Sequence, residues 1–329
     1  MQSPTITSAV TQRQVANISD FRYSVVIPVF DAETTIAEVI RRTSAVFESR
    51  QCSYEIVCVN DGSSDDSWSV LREQARNNRN VVAIDLIKNY GQHPAMFCGL
   101  KHSTGDFVVT IDGDLQNPPE EIFKLVDKAL EGYDLVFGQF KQKKHSFVRR
   151  LGSRVIGLLN EKIFGKPKDL KVTNYRLMSR SLVNRMCRYR TAFPYLNGLA
   201  LKFSGPRLRA NVMVEHCERQ SGKSAYTPRR IAQLVLTILF NYSSYPLALV
   251  SVLGLTVSLL SFALGVFLIC KRLLIGAMVP GWTSIVVIMS FFNGILTLLL
   301  GMLGEYVIRI LNTVSDNSCY EIGEVCKVD

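Results

Sequence analysis

Along the first half of the chain, short continuous apolar runs alternate with stretches whose apolar residues recur every three or four positions. Tyr23–Phe30 (YSVVIPVF) is β-branched and almost uninterrupted, the pattern of a strand buried on both faces. Thr34–Ser49 places Ile36, Val39, Ile40 and Phe47 roughly on one helical face. The strand pattern returns at Tyr54–Asn60, Val81–Leu86, Phe107–Asp112 and Leu135–Gly138. Between these runs helices are predicted from Ser64–Asp66, where capping residues cluster, over Gln92–His102 with Pro94 in its first turn, and from Pro118-Pro119 to about Glu131. Such alternation predicts an α/β fold, a mostly parallel sheet covered on both faces, with ligands beyond the carboxyl ends of its strands.

After Gln139 the alternation weakens. Ser146–Phe164 reads as a long basic helix, and Tyr175–Ser179 and Arg207–Glu215 as further strands. The predicted sheet is complete before Arg230, so residues 1–229 alone are expected to bind a ligand at its strand ends. Arg229–Tyr242, after the Pro228 start signal, reads as an amphipathic helix suited to a membrane interface. No charge occurs in the 40 residues from Ile231 to Cys270, nor in the 32 from Leu273 to Gly304. Pro246–Cys270 and Trp282–Leu303 are each long enough for a hydrocarbon core of roughly 30 Å. The short link Lys271–Gly281 makes them a hairpin with both ends on one side. The predicted organisation is a flexible extension (1–21), a catalytic domain (22–228), an interfacial helix (229–245), two spans within 246–304 (246–270 and 282–303), and a tail (305–329) on the catalytic side.

Composition sharpens this reading. Of 329 residues, 47% are apolar and 20% charged, which excludes disorder for most of the chain. The net charge is +10, and residues 141–190 hold 15 Lys and Arg against only Glu161 and Asp169. That stretch suits polyanions: anionic lipid, a phosphorylated substrate or nucleic acid. The eight cysteines show no C-x-x-C pair and no zinc-ligand spacing, so reduced thiols in a cytoplasmic domain are expected. The first 20 residues lack an apolar core, and no signal peptide is expected.

Three predicted strand ends carry polar or acidic turns: Pro28–Glu33, Asn60–Asp65 and Asp112-Gly113-Asp114. Two carboxylates one residue apart at the mouth of a parallel sheet suit a divalent cation that also grips a diphosphate, with Gly113 keeping the backbone close. The Asn60–Asp65 turn could equally be a turn and helix cap. His93 could cap its helix or touch a phosphate; His102, His145 and His216 have no partner at useful spacing. Ser63 and Ser64 lack a nucleophile elbow. Gly222-Lys223-Ser224 lacks the upstream glycine of a phosphate loop.

Together, Val25–Val29, Asn60–Asp65, Asn89-Tyr90-Gly91-Gln92-His93, Asp112–Glu120 (DGDLQNPPE), Tyr175–Met178 and Arg219–Tyr226, followed by the apolar hairpin, resemble the polyprenyl-phosphate branch of the family 2 glycosyltransferases. That branch includes bactoprenol glucosyltransferases, undecaprenyl-phosphate aminoarabinose transferases and dolichol-phosphate mannose synthase. The resemblance implies a GT-A (Rossmann-like) catalytic domain followed by a two-helix transmembrane hairpin in the cytoplasmic membrane, with the catalytic domain facing the cytoplasm. It implies that Pro28, Asp31, Asp61 and Asp112 hold the nucleotide, and that Asp112, Asp114 and Gln116 surround Mg²⁺ or Mn²⁺ and the diphosphate. Arg149 or Arg150, with Arg176, would meet the acceptor phosphate. Arg219, Lys223 and Ser224 would line the acceptor entrance. The implied reaction moves a sugar, with inversion, from a nucleotide sugar (a UDP-sugar is favoured) to polyprenyl phosphate for cell-envelope glycan or lipopolysaccharide modification. Homo-oligomerisation is allowed and nucleic acid is not an expected partner. The alternatives are a processive polysaccharide synthase, which would show a Q-x-x-R-W motif that neither Trp68 nor Trp282 provides, and a non-catalytic membrane-anchored binder of phosphate or lipid.

Overall fold

The computed structural model describes residues 17–140, 147–191, 193–215, 228–243, 245–246, 281–314 and 319–328, with isolated positions at 252, 256, 259, 260, 263 and 274. Its strands are β1 (Arg22–Val29), β2 (Ser53–Asn60), β3 (Val81–Leu86), β4 (Phe107–Thr110), β5 (Leu135–Phe140), β6 (Arg176–Ser179), β7 (Arg209–Val214) and β8 (Ile322–Cys326). They form one sheet in the order β7-β5-β6-β4-β1-β2-β3-β8. β4, β1, β2 and β3 are mutually parallel, as are β5 and β7. β6 runs antiparallel between β4 and β5, and β8 runs antiparallel along β3. The sheet is therefore mixed: the α/β alternation sets the parallel centre, and the irregular second half supplies the reversed strands.

Side-chain alternation along β1 explains the two covered faces. Tyr23, Val25, Ile27 and Val29 pack with Ile36, Val39, Ile40 and Phe47 of α1 (Ile36–Ser49), Leu71 of α2 (Ser67–Asn77) and Ile122 and Val126 of α4 (Ile122–Leu130). Val26 faces the opposite way. With Val57 and Val59 it packs against Met96 and Leu100 of α3 (Gln92–His102), Leu182 and Val183 of α6 (Arg180–Cys187) and Leu199 of α7 (Leu196–Phe203). Phe164 at the end of α5 (Phe147–Phe164) and Ile238 of α8 (Pro228–Tyr242) extend this second layer.

Three differences from the sequence reading bear on function. Residues 17–21, predicted within the flexible extension, include a capped turn at Ile18–Asp20, and Phe21 packs edge-on against Phe107. The predicted tail is not loose, because β8 completes the edge of the sheet; the sheet is thus not complete before Arg230. In the apolar region, α9 (Trp282–Val314) is one helix of 33 residues that continues past the predicted end at Leu303. Residues 246–270 lie mostly outside the described residues. Among the described residues no helix is long and apolar enough to cross a membrane.

Two loops at the carboxyl ends of β1 and β2 are zipped together. Asp31 Oδ1 accepts from the Ser64 N–H at 2.8 Å, and the Asp31 N–H donates to Ser63 Oγ. Glu33 Oε2 accepts from the Asp66 N–H, and the Glu33 N–H donates to Asp65 Oδ2. Asp31 holds this geometry at φ 48°, a strained value for a residue with a Cβ. A third loop, 87–91, closes over the second. The buried Asp61 carboxylate accepts from the N–H groups of Tyr90 (2.7 Å) and Gly91 (2.9 Å). Gly62 sits at φ 61°, where a Cβ would lie 2.5 Å from the backbone of Lys88 and Asn89.

Gly62→Ala therefore combines left-handed strain with a backbone collision. We expect a loss of about 2 kcal/mol or more in stability, read by thermal or denaturant unfolding. Burial pushes the Asp61 carboxyl up to about 6, and the two loop amides only partly offset it. The folded value lies above the unfolded one, so folding takes up a proton between pH 3.8 and about 6. Relative to Asp61→Asn, the wild type is expected to lose stability as pH rises through that window and to level off above it. A pH series of melting temperatures for the pair checks this.

Candidate active site

The strand order reverses direction at β1: β2 and β3 lie on one side and β4 on the other. In open α/β sheets a crevice forms at this switch point, beyond the carboxyl ends. Pro28, the penultimate residue of β1, pairs with Val59 on β2. Asp31 follows β1, Asp61 follows β2, and Asp112 and Asp114 follow β4. The connectivity thus gathers the predicted nucleotide and metal residues at one end of the sheet.

The run after β4 is fixed from several directions. The Thr35 hydroxyl donates to the Gly113 carbonyl at 2.8 Å. Leu115 turns inward at φ 59° and is buried, leaving Asp114 and Gln116 half-exposed on either side. Tyr175 Oη donates to the Pro118 carbonyl. Arg42 grips Glu120 with two prongs at 2.8 and 2.7 Å and holds that carboxyl below its ordinary range. Gly113, Leu115, Pro118 and Glu120 of DGDLQNPPE are thereby held in position. Gly113 departs from the sequence reading: a Cβ there would meet nothing closer than 3.5 Å, so close backbone packing does not require glycine.

Asp112 is oriented by two amides. Gln92 Nε2 donates to Oδ1 at 2.6 Å and Asn117 Nδ2 to Oδ2 at 3.2 Å. Asp114 Oδ1 accepts from the Gln116 N–H at 3.2 Å. Among the described residues no cluster of three or more His, Cys, Asp or Glu could hold a metal unaided. Asp112, Asp114 and the Gln116 side-chain carbonyl nevertheless offer hard oxygen donors, the chemistry that would suit Mg²⁺ or Mn²⁺.

Beside Thr110, at the β4 edge facing β6, stands Arg176. It is completely buried. Its guanidinium donates from Nη1 to Asn197 Oδ1 and from Nη2 to Met96 Sδ at 3.9 Å, while Nε has no hydrogen-bond partner among the described residues. Among the described residues no carboxylate is hydrogen-bonded to it. Burial lowers its pKa to about 10, opposed by Tyr195 and Asp112, so the group stays a cation at neutral pH. His93, in the first turn of α3, stacks edge-on against Tyr195 with 5.4 Å between ring centroids, and its buried Nδ1 is also unpartnered. Burial, then Arg176, pushes His93 down to about 4. The imidazole is therefore neutral near pH 7.

Among the other predicted residues, Asp61 commits both oxygens to the 87–91 loop, and Asp31 ties β1 to the β2 loop. Arg149 and Arg150 fall in the first turn of α5, but their side chains lie outside the described residues, as do Arg219, Lys223 and Ser224 entirely. Sequence reasoning did not single out Gln92, Asn117, Thr35, Tyr195 or Asn197. Gln92 and Asn117 stood inside the motifs already quoted; Tyr195 and Asn197 sit where no pattern was legible.

The profile of glycosyl transferase family 2 matches residues 24–191. The undecaprenyl-phosphate 4-deoxy-4-formamido-L-arabinose transferase of Edwardsiella ictaluri is 37% identical over 322 residues, covering 95% of this chain and 98% of its own. The transferase of the same name from Klebsiella pneumoniae is 37% identical over 312 residues, covering 93% and 94%. Glucosyl-3-phosphoglycerate synthase from Mycobacterium tuberculosis, solved with Mn²⁺, uridine diphosphate and glucosyl-3-phosphoglycerate, superposes with a TM-score of 0.54 at 20% identity, over 72% of this chain and 87% of that one. The same enzyme with Mn²⁺, UDP-glucose and phosphoglyceric acid gives 0.52, over 68% and 79%. The sheet order and these superpositions identify a GT-A-like mixed sheet, and the profile and full-length relatives show that the chain belongs to glycosyl transferase family 2, in its polyprenyl-phosphate branch.

Proposed function

We propose that this glycosyltransferase moves a sugar from a UDP-sugar to undecaprenyl phosphate at the cytoplasmic face of a membrane. The observation that carries the acceptor assignment is Arg176, a buried cation that, among the described residues, has an unused Nε–H and no hydrogen-bonded carboxylate, Asp112 acting on it only at longer range. Isolating such a charge is expensive unless an anion completes it. A phosphate monoester is the anion that a planar guanidinium suits best. The names of the full-length relatives support undecaprenyl phosphate as its source.

In this reading the nucleotide lies across the ends of β1 and β2, over Pro28, Asp31 and Asp61. Asp112, Asp114 and Gln116 would hold Mg²⁺ or Mn²⁺, which neutralises charge developing on the leaving diphosphate. Gln92 and Asn117 keep the Asp112 carboxylate aimed. Arg176, helped by Arg149 or Arg150 from α5, aligns a phosphate oxygen with the anomeric carbon. That oxygen forms the new C–O bond as the bond to the diphosphate breaks, inverting the centre. A phosphate monoester is largely ionised near neutral pH, so no strong general base is required. The neutral, buried His93 is consistent with that.

The membrane assignment is supported by the uncharged runs and by the position of β8. Residues 246–270 and 282–303 would cross as a hairpin. Because β8 follows α9 and pairs with the catalytic sheet, both ends of the apolar region lie with the catalytic domain, as an even number of crossings requires. The free thiols Cys52, Cys58, Cys98, Cys187, Cys319 and Cys326 and the basic stretch at 141–190 favour the cytoplasmic side. Arg219, Lys223 and Ser224, just before α8, are placed at the acceptor entrance on the same reading.

Full-length protein in bilayers with labelled UDP-sugar, Mn²⁺ and undecaprenyl phosphate is expected to yield a lipid-linked monosaccharide; a water-soluble polymer, or no turnover across a panel of UDP-sugars, contradicts the reading. Asp114→Asn is expected to abolish turnover with an unchanged melting temperature, and near-normal rates in the folded variant would remove Asp114 from the metal site. For Arg176→Lys the expectation is a selective loss of transfer. Each lost charge-assisted hydrogen bond is worth roughly 1.5–3 kcal/mol, or about 10- to 150-fold in rate. Nucleotide affinity, measured by titration, stays within about twofold of wild type.

A further inference from the structure

The 87–91 loop joins β3 to α3, and its backbone is held from two sides. On one side Asp61 accepts from Tyr90 and Gly91. On the other, the Ile87 N–H donates to the Glu321 carbonyl at 3.1 Å, and the Glu321 backbone reaches the Tyr90 hydroxyl. Glu321 is the residue immediately before β8. The strand itself pairs Ile322 with Leu86, Glu324 with Asp85, Val325 with Ile84 and Cys326 with Ala83, and its register shifts between Asp85 and Leu86, next to the loop. Tyr320 anchors the approach: it is 7% exposed, packs in the α3 layer and lies under Lys101 Nζ at 5.6 Å. Of the loop's side chains, Ile87, Lys88 and Asn89 are exposed, and Tyr90 packs against the α3 layer.

We propose that the C-terminal segment Tyr320–Cys326 is a positioning element of the nucleotide site, acting through the 87–91 loop. The proposal rests on the reading that the nucleotide lies over Asp61 and the neighbouring strand ends. The same loop sets where Asp61 is held and where α3 begins, and α3 begins with Gln92, whose amide aims Asp112. Residues that follow the apolar region in sequence thus brace the donor half of the active site from outside. A chain ending before Arg230 lacks this brace and leaves the β3 edge unpaired.

The test uses full-length protein with Tyr320→Ala, which removes the buried anchor, Tyr320→Phe, which keeps the ring, and Tyr90→Phe, which removes the hydroxyl that Glu321 reaches. Amide hydrogen exchange over 87–91 is measured without ligand, and binding of UDP with Mn²⁺ is measured by titration. For Tyr320→Ala, exchange over the loop is expected to rise about tenfold or more. UDP affinity falls about tenfold while KM for the lipid phosphate stays unchanged. Tyr320→Phe, which keeps the buried ring and loses only the hydroxyl bonded to Cys98, shifts both readouts clearly less than Tyr320→Ala does, and Tyr90→Phe raises loop exchange by a smaller factor. The proposal is overturned if exchange at Ile87, Tyr90 and Gly91 stays at the wild-type level while β8 itself exchanges freely, or if melting temperature drops with UDP affinity intact. Should Tyr320→Ala not fold, unchanged loop exchange in Tyr90→Phe overturns it. Absence of UDP binding by the wild type would contradict the donor reading, and loop exchange would still decide the brace.

Discussion

The arrangement turns on a positive charge sealed inside the protein: among the described residues no carboxylate is hydrogen-bonded to Arg176, and Asp112 acts on it only at longer range. Arg176 enters β6 opposite Thr110, with the layer of α3, α6 and α7 against it, and the described contacts offer it an amide oxygen and a thioether. A lysine could satisfy that charge by hydration or by shifting its pKa; a guanidinium stays charged and keeps its donor plane fixed. The fold accepts this strain where β6 reverses direction, and the reversal is what brings a residue so far along the chain beside the DGD turn. An acceptor that arrives already ionised resolves the imbalance, and the chemistry then needs alignment more than proton transfer.

The donor side is governed by a different constraint, the mutual bracing of loops. Asp31 ties the β1 turn to the β2 turn, Asp61 ties the β2 turn to 87–91, and Gln92 ties the start of α3 to Asp112. Each link is a short side chain meeting a backbone or amide group, so a displacement in one loop passes to the next. The strained Asp31 and Leu115 and the left-handed Gly62 persist because neighbouring loops over-determine them. β8 adds an outer support to this series.

Much of this was legible in the sequence. Continuous β-branched runs separated by amphipathic stretches specify β1 to β5 and their helices, and α3 begins and ends where Gln92 and His102 place it. The acidic turns fall at the strand ends because those ends are where a parallel sheet leaves backbone and side chains free to meet a ligand. What was not legible has physical causes. β6 and β7 were recognisable as strands, but their directions and partners depend on long-range pairing that no local pattern encodes. α6 and α7 are only eight residues each, too short for a periodic signal, though Ser179 caps α6 through the Leu182 N–H. β8 is five residues with a glycine, following a long apolar region, and gains its stability from the β3 edge rather than from its own composition. Asp61 illustrates the same limit within a motif: its position was evident, yet its commitment to two loop amides was not.

The most direct test of the buried-charge account is a calorimetric titration of full-length protein, in the presence of Mn²⁺ and UDP, with a short-chain prenyl phosphate and separately with the corresponding prenyl alcohol, repeated for Arg176→Gln. The account predicts that the phosphate binds the wild type at least about tenfold more tightly than the alcohol, and that Arg176→Gln removes this preference while binding UDP normally. An undiminished preference for the phosphate in folded Arg176→Gln would contradict it.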